Sequence, residues 1–328
     1  MSGLNNGNVK LVLPFDAIDR TALSIAGGKA ANLGELTLAG LPIPNGFCVT
    51  TAAYELVAGD AGLDSTLAAL AEVRPDDTMR LAELATAARA ALLEVHVPKT
   101  LAEALAKAYQ ALGADSIPVA VRSSATAEDL PYASFAGQQD TYLNVVGVDA
   151  LIDAVRRCWA SLWTDRAVSY RASNGIDPRT VRLAVAVQEM IQATIAGVLF
   201  TANPLTGRRH QTVIDASLGL GEAIVSGAVN PDHFVVETAT GDIVERRLGD
   251  KRVAIRAAAG GGTQRVELAK RSDEASLSEA QIRALVALGA RVEAHYGVPQ
   301  DTEWAIDADE RFWPVSYTHL TLPTKRIV

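Results

Sequence analysis

Between Val119 and Val145 the chain reads VAVRSSATAEDLPYASFAGQQDTYLNV, which sets a strand, a cation, short hydroxyls and a glycine in series. That order suits a nucleoside triphosphate. Val119 and Val121 alternate with small residues as a strand does, Arg122 supplies a permanent positive charge, and Ser123, Ser124 and Thr126 supply compact hydrogen-bonding groups close to the backbone. Gly137 permits a ligand to approach the main chain closely. A second loop, Ala26-Gly27-Gly28-Lys29, precedes an amphipathic helix whose first-turn amides and lysine would face an anion. In the C-terminal part, Asp301 and Glu303 alternate with Thr302, Trp304 and Ile306. Strand geometry puts the two carboxylates on one face roughly 7 Å apart, where they suit a magnesium ion completed by water and phosphate.

Each motif also has a plainer reading. Gly-Gly-Lys before a helix serves as a simple turn with a surface lysine, and no Walker loop is present. Arg122 is also suited to pair with Glu128 or Asp129, and Ser123 and Ser124 to cap a turn. Gln188 fits an ordinary polar position at a sheet end, and Asp301 with Glu303 an ordinary solvated strand face. The segment Gly219–Gly227 fits a tight turn running into a short apolar stretch. The joint occurrence of these motifs, in this order, favours the nucleotide reading.

The elements that must position these residues alternate between helix and strand, which is an α/β or α+β pattern. A helix is expected from Lys29 to Ala39, closed by Gly40, and a strand from Gly46 to Thr50. Thr51 to Gly113 is rich in alanine and leucine and reads as several packed helices. One long helix is expected over Val148–Ser173. Val181 to Met190 alternates, with Val181, Leu183, Val185 and Val187 on one face and Ala184, Ala186 and Gln188 on the other, so that Gln188 looks over a floor of small residues. Further strands are expected at Gly197–Thr201, Gln211–Asp215, His233–Glu237, Asp242–Arg246 and Asp301–Ile306. Gly260-Gly261-Gly262 reads as a surface loop and Ala269–Ser278 as a polar linker. A last helix is expected over Glu279–Tyr296, capped by Ser278 and stopped by Gly297.

A chain of 328 residues has room for a sizeable core in two subdomains. Its net charge of -8 argues against nucleic acid as the main partner, so any triphosphate site must be locally basic. The two cysteines, Cys48 and Cys158, show no metal spacing, which points to a reduced, cytoplasmic protein. Neither a signal peptide nor an apolar run of membrane-spanning length is visible, so no membrane association is expected.

Several long segments resemble the N-terminal nucleotide-binding domain shared by phosphoenolpyruvate synthase, pyruvate phosphate dikinase and rifampin phosphotransferase. They are GGKAANLGEL (Gly27–Leu36), PNGFCVT (Pro44–Thr50), the Ala120–Val145 stretch, GLGEAIVSGAVNPD (Gly219–Asp232) and DTEWAI (Asp301–Ile306). The resemblance runs from about residue 10 to about residue 315.

It implies an α+β, ATP-grasp fold whose two subdomains close over a nucleotide cleft. The expected division is 1–200, with a helical insertion at about 51–115, then 201–315, with 316–328 an atypical tail. The implied ligands are ATP and Mg2+. Lys29 and Arg122 would hold phosphates as the catalytic cations, the loop through Gly137 would cover the triphosphate, and Thr141 would line the pocket. Gln188 would sit beside the adenine, and Asp301 and Glu303 would face metal and phosphates. Residues 29, 122, 188 and 303 would thus meet around one ATP.

The resemblance also implies a phosphohistidine carrier domain and an acceptor domain as partners. None of the five histidines, His96, His210, His233, His295 and His319, lies in a carrier motif of that family's type. The expected enzyme class is a kinase or phosphotransferase of the pyruvate, water dikinase type. The alternatives are a rifampin phosphotransferase-type domain or a truncated ATP-binding module without turnover. Where the family continues with a Q-x-R-P strand, Ser316 and Thr318 stand here, and a foreign or truncated tail joined at about Val315 is the expectation.

Overall fold

The computed structural model describes residues 10–113, 116–126, 141–268 and 274–320. Contacts divide the chain into two units, Met1–Leu38 with Asn45–Met190, and Ala39–Pro44 with Ile191–Val328. The main division falls between Met190 and Ile191. The architecture is mixed helix and sheet. Among the described residues no helix is long and apolar enough to cross a membrane.

The first unit runs β1 (Val12–Pro14), α1 (Leu23–Leu38), β2 (Gly46–Val49), α2 (Thr51–Asp60), α3 (Asp64–Glu72), α4 (Thr78–Glu94), α5 (Lys99–Ala111), β3 (Val119–Ala125), β4 (Thr141–Val145), α6 (Val148–Ser161), α7 (Asp165–Ser173) and β5 (Leu183–Glu189). Its five strands form an antiparallel sheet in the order β1-β2-β5-β3-β4. The period of two along a strand then sorts the side chains. Val119, Val121, Leu183, Val185 and Val187 point into a core shared with residues of the six helices α2 to α7, including Leu105 and Trp159. The opposite face carries Ala120, Arg122 and Ser124 beside Gln188, Ala186 and Ala184, and α1 packs on β3 and β5.

The long helix expected over 148–173 is two helices. Thr164 is extended, at φ -67° and ψ 150°, and its side chain accepts from the Ala167 N–H. An N-capping threonine starts a new helix more favourably than it sits inside an old one, so the apolar periodicity on either side of it belongs to α6 and α7 separately. Val181 follows a short 3-10 turn at Pro178–Thr180 and lies outside β5.

The second unit runs β6 (Ile195–Phe200), β7 (Gln211–Leu218), α8 (Glu222–Val225), β8 (Asp232–Glu237), β9 (Ile243–Arg247), β10 (Val253–Ala257), β11 (Thr263–Glu267), α9 (Glu279–Tyr296), β12 (Gln300–Ile306) and β13 (Phe312–His319). Six strands form one antiparallel sheet, β13-β12-β6-β7-β8-β9, and β10 with β11 make a separate hairpin. The three glycines expected in a surface loop are the turn of that hairpin, with φ of 85°, 123° and 71°. Helix α9 begins with the Ser278–Gln281 capping box and ends at left-handed Gly297, as its sequence predicts. Its Ile282, Leu285 and Val286 cover Leu199, Ile214, Phe234, Trp304 and Ile306. Gly197 is required there, because a Cβ would meet the Asp215 carbonyl oxygen at 2.0 Å and the Trp304 ring at 2.6 Å.

Asp232, which ends the GLGEAIVSGAVNPD segment, is fully buried and structural. Its carboxylate accepts from the Gly249 N–H at 2.7 Å, from Lys251 Nζ at 2.5 Å, and from the Ser276 N–H and hydroxyl at 2.6 and 2.7 Å. With its lone pairs taken, the acid anchors three backbone segments and has little capacity for a ligand.

Candidate functional site

In the first unit, Ser124 ties the glycine loop to the sheet. Its hydroxyl donates to the Ala26 carbonyl at 2.7 Å and accepts from the Ala30 N–H at 3.0 Å. Gly27, between them, has φ 69° and ψ 170° and breaks the helical run, so the regular part of α1 starts at Gly28. A Cβ at Gly27 would lie 2.0 Å from the Ser124 carbonyl oxygen. Ser124 thus caps the helix from a distant strand, and the start of α1, with Lys29 in its first turn, is pinned against β3. Cys48 is buried beside the same loop, and its burial pushes the thiol pKa upward, away from reactive values.

Two residues along β3 from Ser124, on the same face, Arg122 donates to Gln188 Oε1 at 3.0 Å. Thr141 of β4 is the direct cross-strand partner of Arg122 and is exposed. The fold therefore brings Arg122, Thr141 and Gln188 together and sets Lys29 next to the same strand. Gln188 is 2% exposed, and its Nε2 is buried with no acceptor among the described residues. A buried donor left unsatisfied costs about 1–3 kcal/mol. Its surroundings fit a ligand that brings an acceptor, and the cations beside it fit one that brings phosphates. Gly137 lies outside the described residues.

In the second unit, Thr302, Trp304 and Ile306 are buried on one side of β12, and Asp301 and Glu303 are half-buried on the other. Burial, then the neighbouring Glu303 charge, pushes the Asp301 carboxyl up to about 6. Across the β12–β13 ladder Ser316 is the partner of Glu303 and Thr318 the partner of Asp301. Neither brings a cation to the acidic pair. Among the described residues no cluster of three or more His, Cys, Asp or Glu side chains could hold a metal by itself. Two carboxylates fit magnesium, which keeps several of its ligands as water and phosphate oxygens.

Sequence reasoning missed two features of these faces. Asp215 of β7 accepts from His233 Nδ1–H at 2.7 Å, and both lie in the cross-strand row that contains Val198 and Glu303. Alternation within Gln211–Leu218 is the signal that sets Asp215 on that face. The cap from Ser124 had no local signal, because it joins positions 94 and 98 residues apart.

These features define a mixed α and β domain with a cation-bearing sheet face suited to a nucleotide. Residues 23–317 match the family described as pyruvate phosphate dikinase, AMP/ATP-binding domain. The chain is 48% identical over 310 residues to a rifampicin phosphotransferase of Streptomyces sviceus, covering 94% of this chain and 35% of that protein. It is 44% identical over 303 residues to a probable phosphoenolpyruvate synthase of Methanothermobacter thermautotrophicus, covering 91% and 44%. It is 42% identical over 340 residues to a phosphoenolpyruvate synthase of Pyrococcus furiosus, covering 90% and 42%. A solved macrocyclase, MdnC of Microcystis aeruginosa, aligns over 74% of this chain and 64% of its own at 11% identity and a TM-score of 0.19, too slight a likeness to bear on the fold.

The chain belongs to the pyruvate phosphate dikinase AMP/ATP-binding domain family. It is an ATP-binding domain of the kind found in phosphoenolpyruvate synthases and rifampicin phosphotransferases, and it spans 35% to 44% of the length of these three relatives.

Proposed function

We propose that this chain is the ATP-grasp, nucleotide-activating part of a dikinase-type phosphotransferase. Lys29 and Arg122 hold phosphate oxygens, Thr141 lines the triphosphate pocket, and Gln188 contacts the adenine. Asp301 and Glu303 hold Mg2+. ATP, when bound, supplies the phosphoryl group, and the chain's own residues orient it and neutralise its charge. The observation that carries this reading is the buried Gln188 Nε2, which has no acceptor among the described residues, beside Arg122 on the sheet face where Ser124 fixes the start of α1. No protein acid or base is required on this domain.

The group leaves to a histidine on a separate carrier domain and passes from there to pyruvate or a rifamycin. Relatives of both names stand at similar identity, so the acceptor follows from the partner domains. A second reading, an ATP-binding module without turnover, is favoured by one observation: Ser316 and Thr318 lie opposite the acidic pair. Incubation with ATP, Mg2+ and a supplied carrier domain separates the two. Phosphorylated carrier together with AMP and inorganic phosphate, water taking the second phosphoryl group, supports the first reading, and binding without transfer supports the second.

A further inference from the structure

The first unit contains a cavity of about 330 Å3 between α3, α4, α7 and the 3-10 turn at Pro178–Thr180. Its walls include Leu70, Ala71, Leu81 and Val168, none of which belongs to the nucleotide face. Arg171 also lines it and is only 4% exposed. This guanidinium donates to the Leu162 carbonyl and lies 4.9 Å from the centre of the Trp163 ring. Among the described residues no carboxylate pairs with it. The second cation of the cavity, Arg179, is already neutralised by Asp177, with Nε–Oδ1 at 3.0 Å and Nη2–Oδ2 at 2.8 Å. The lining thus carries one uncompensated positive charge at an apolar wall.

A buried charge is expensive unless it is paired, and a guanidinium has five donors, of which one carbonyl and one ring face use a part. Desolvation lowers the Arg171 pKa to about 10, which leaves it charged at neutral pH. The volume is at the lower end of the range of small-molecule sites.

We propose that this cavity is a binding site, separate from the nucleotide face, for a small amphipathic oxyanion, a carboxylate or a phosphate monoester on an apolar body. The oxyanion pairs with Arg171, and the apolar body packs on Leu70, Leu81 and Val168. An occupant there braces α3 and α4 against α7 and the turn that leads into β5, the strand bearing Gln188. The site is therefore placed to modulate nucleotide binding, but its existence does not depend on the proposed function.

The 328-residue chain is titrated with benzoate, phenyl phosphate and neutral benzamide, followed by calorimetry and by tryptophan fluorescence, to which Trp163 contributes. At least one anion is expected to bind with a Kd of about 1 mM or below, and benzamide at least about tenfold more weakly. Which anion wins distinguishes carboxylate from phosphate. Arg171→Met is expected to weaken the anion about tenfold or more. Because Arg171 also holds the Leu162 carbonyl, Ala71→Phe, which fills the cavity and leaves that bond in place, provides the independent loss. Lys29→Met is expected to leave anion binding intact, which separates this site from the phosphate-binding one. Failure of both anions to bind, equal binding of benzamide, or unchanged binding in Ala71→Phe overturns the proposal.

Discussion

The Arg122 guanidinium donates to Gln188 Oε1 at 3.0 Å, while the amide nitrogen of the same glutamine is buried without an acceptor among the described residues. One half of the side chain is fixed and the other half is held ready for a partner. Replacing Gln188 by Leu is expected to change the stability of the ligand-free protein by no more than about 1 kcal/mol, because the orphan donor is removed while Arg122 loses the acceptor it had in Oε1. ATP affinity should fall by about tenfold. Urea denaturation and calorimetry read the two effects separately, and unchanged ATP affinity would count against the assignment of Gln188.

Gly27 and Ser124 form the joint at the start of the helix that carries Lys29. At Gly27 the backbone is left-handed, and an added Cβ falls 2.0 Å from the Ser124 carbonyl oxygen, so Gly27→Ala is expected to cost about 3 kcal/mol or more. Ser124→Ala removes the cap on Ala30 and the bond to Ala26, at a cost of about 1–2 kcal/mol. In the serine variant ATP should bind more weakly even though Lys29 is intact. Thermal denaturation with and without ATP checks both, and a fully ATP-competent Gly27→Ala would refute the joint.

The Asp301 carboxyl titrates at about 6 in the folded chain, against a reference value of 3.8. A raised acid binds more protons folded than unfolded, so its contribution favours folding at low pH and is lost as pH rises from about 3.8 through about 6. Asp301→Asn should flatten that part of the stability profile of the ligand-free protein. Magnesium requires the ionised form, so the Mg2+ dependence of ATP binding should strengthen as pH rises through about 6 and lose that inflection in the variant. An identical pH profile in both proteins would contradict it.

Ser316 and Thr318 face Glu303 and Asp301 across β12 and β13. Restoring the ligands that the family resemblance implies, with Ser316→Gln and Thr318→Arg together, is expected to tighten ATP–Mg2+ binding by about tenfold, roughly the worth of one charge-assisted contact. The arginine should also lower the Asp301 pKa by placing a cation beside it. Calorimetry of the double variant tests this, and unchanged affinity would show that these two positions do not limit binding.

What was legible from residues alone follows from the range of each interaction. The alternation in Leu183–Glu189 and the caps of α9 are local, and they predict the floor beneath Gln188 and the ends of the helix. The faces of Thr302 and Glu303 follow from the same period of two. Thr164 shows the limit of periodicity, because a cap can interrupt a pattern that runs unbroken on either side. The β10–β11 hairpin was hidden for another reason. Thr263-Gln264-Arg265-Val266-Glu267 is largely exposed and, among the described residues, pairs with β10 alone, so it carries little apolar alternation. The continuation of β13 through Ser316–His319 depends on backbone pairing with β12, which leaves little mark on side-chain type.

The central proposal is that the chain binds one ATP and that Lys29, Arg122, Gln188 and Glu303 each contribute to its affinity. Calorimetric titration of ATP with Mg2+ into the wild-type chain and into Lys29→Met, Arg122→Met, Gln188→Leu and Glu303→Gln, each checked for folding by circular dichroism, tests it most directly. One ATP per chain and a loss of about tenfold or more in every folded variant are expected. Wild-type affinity in all four would contradict it.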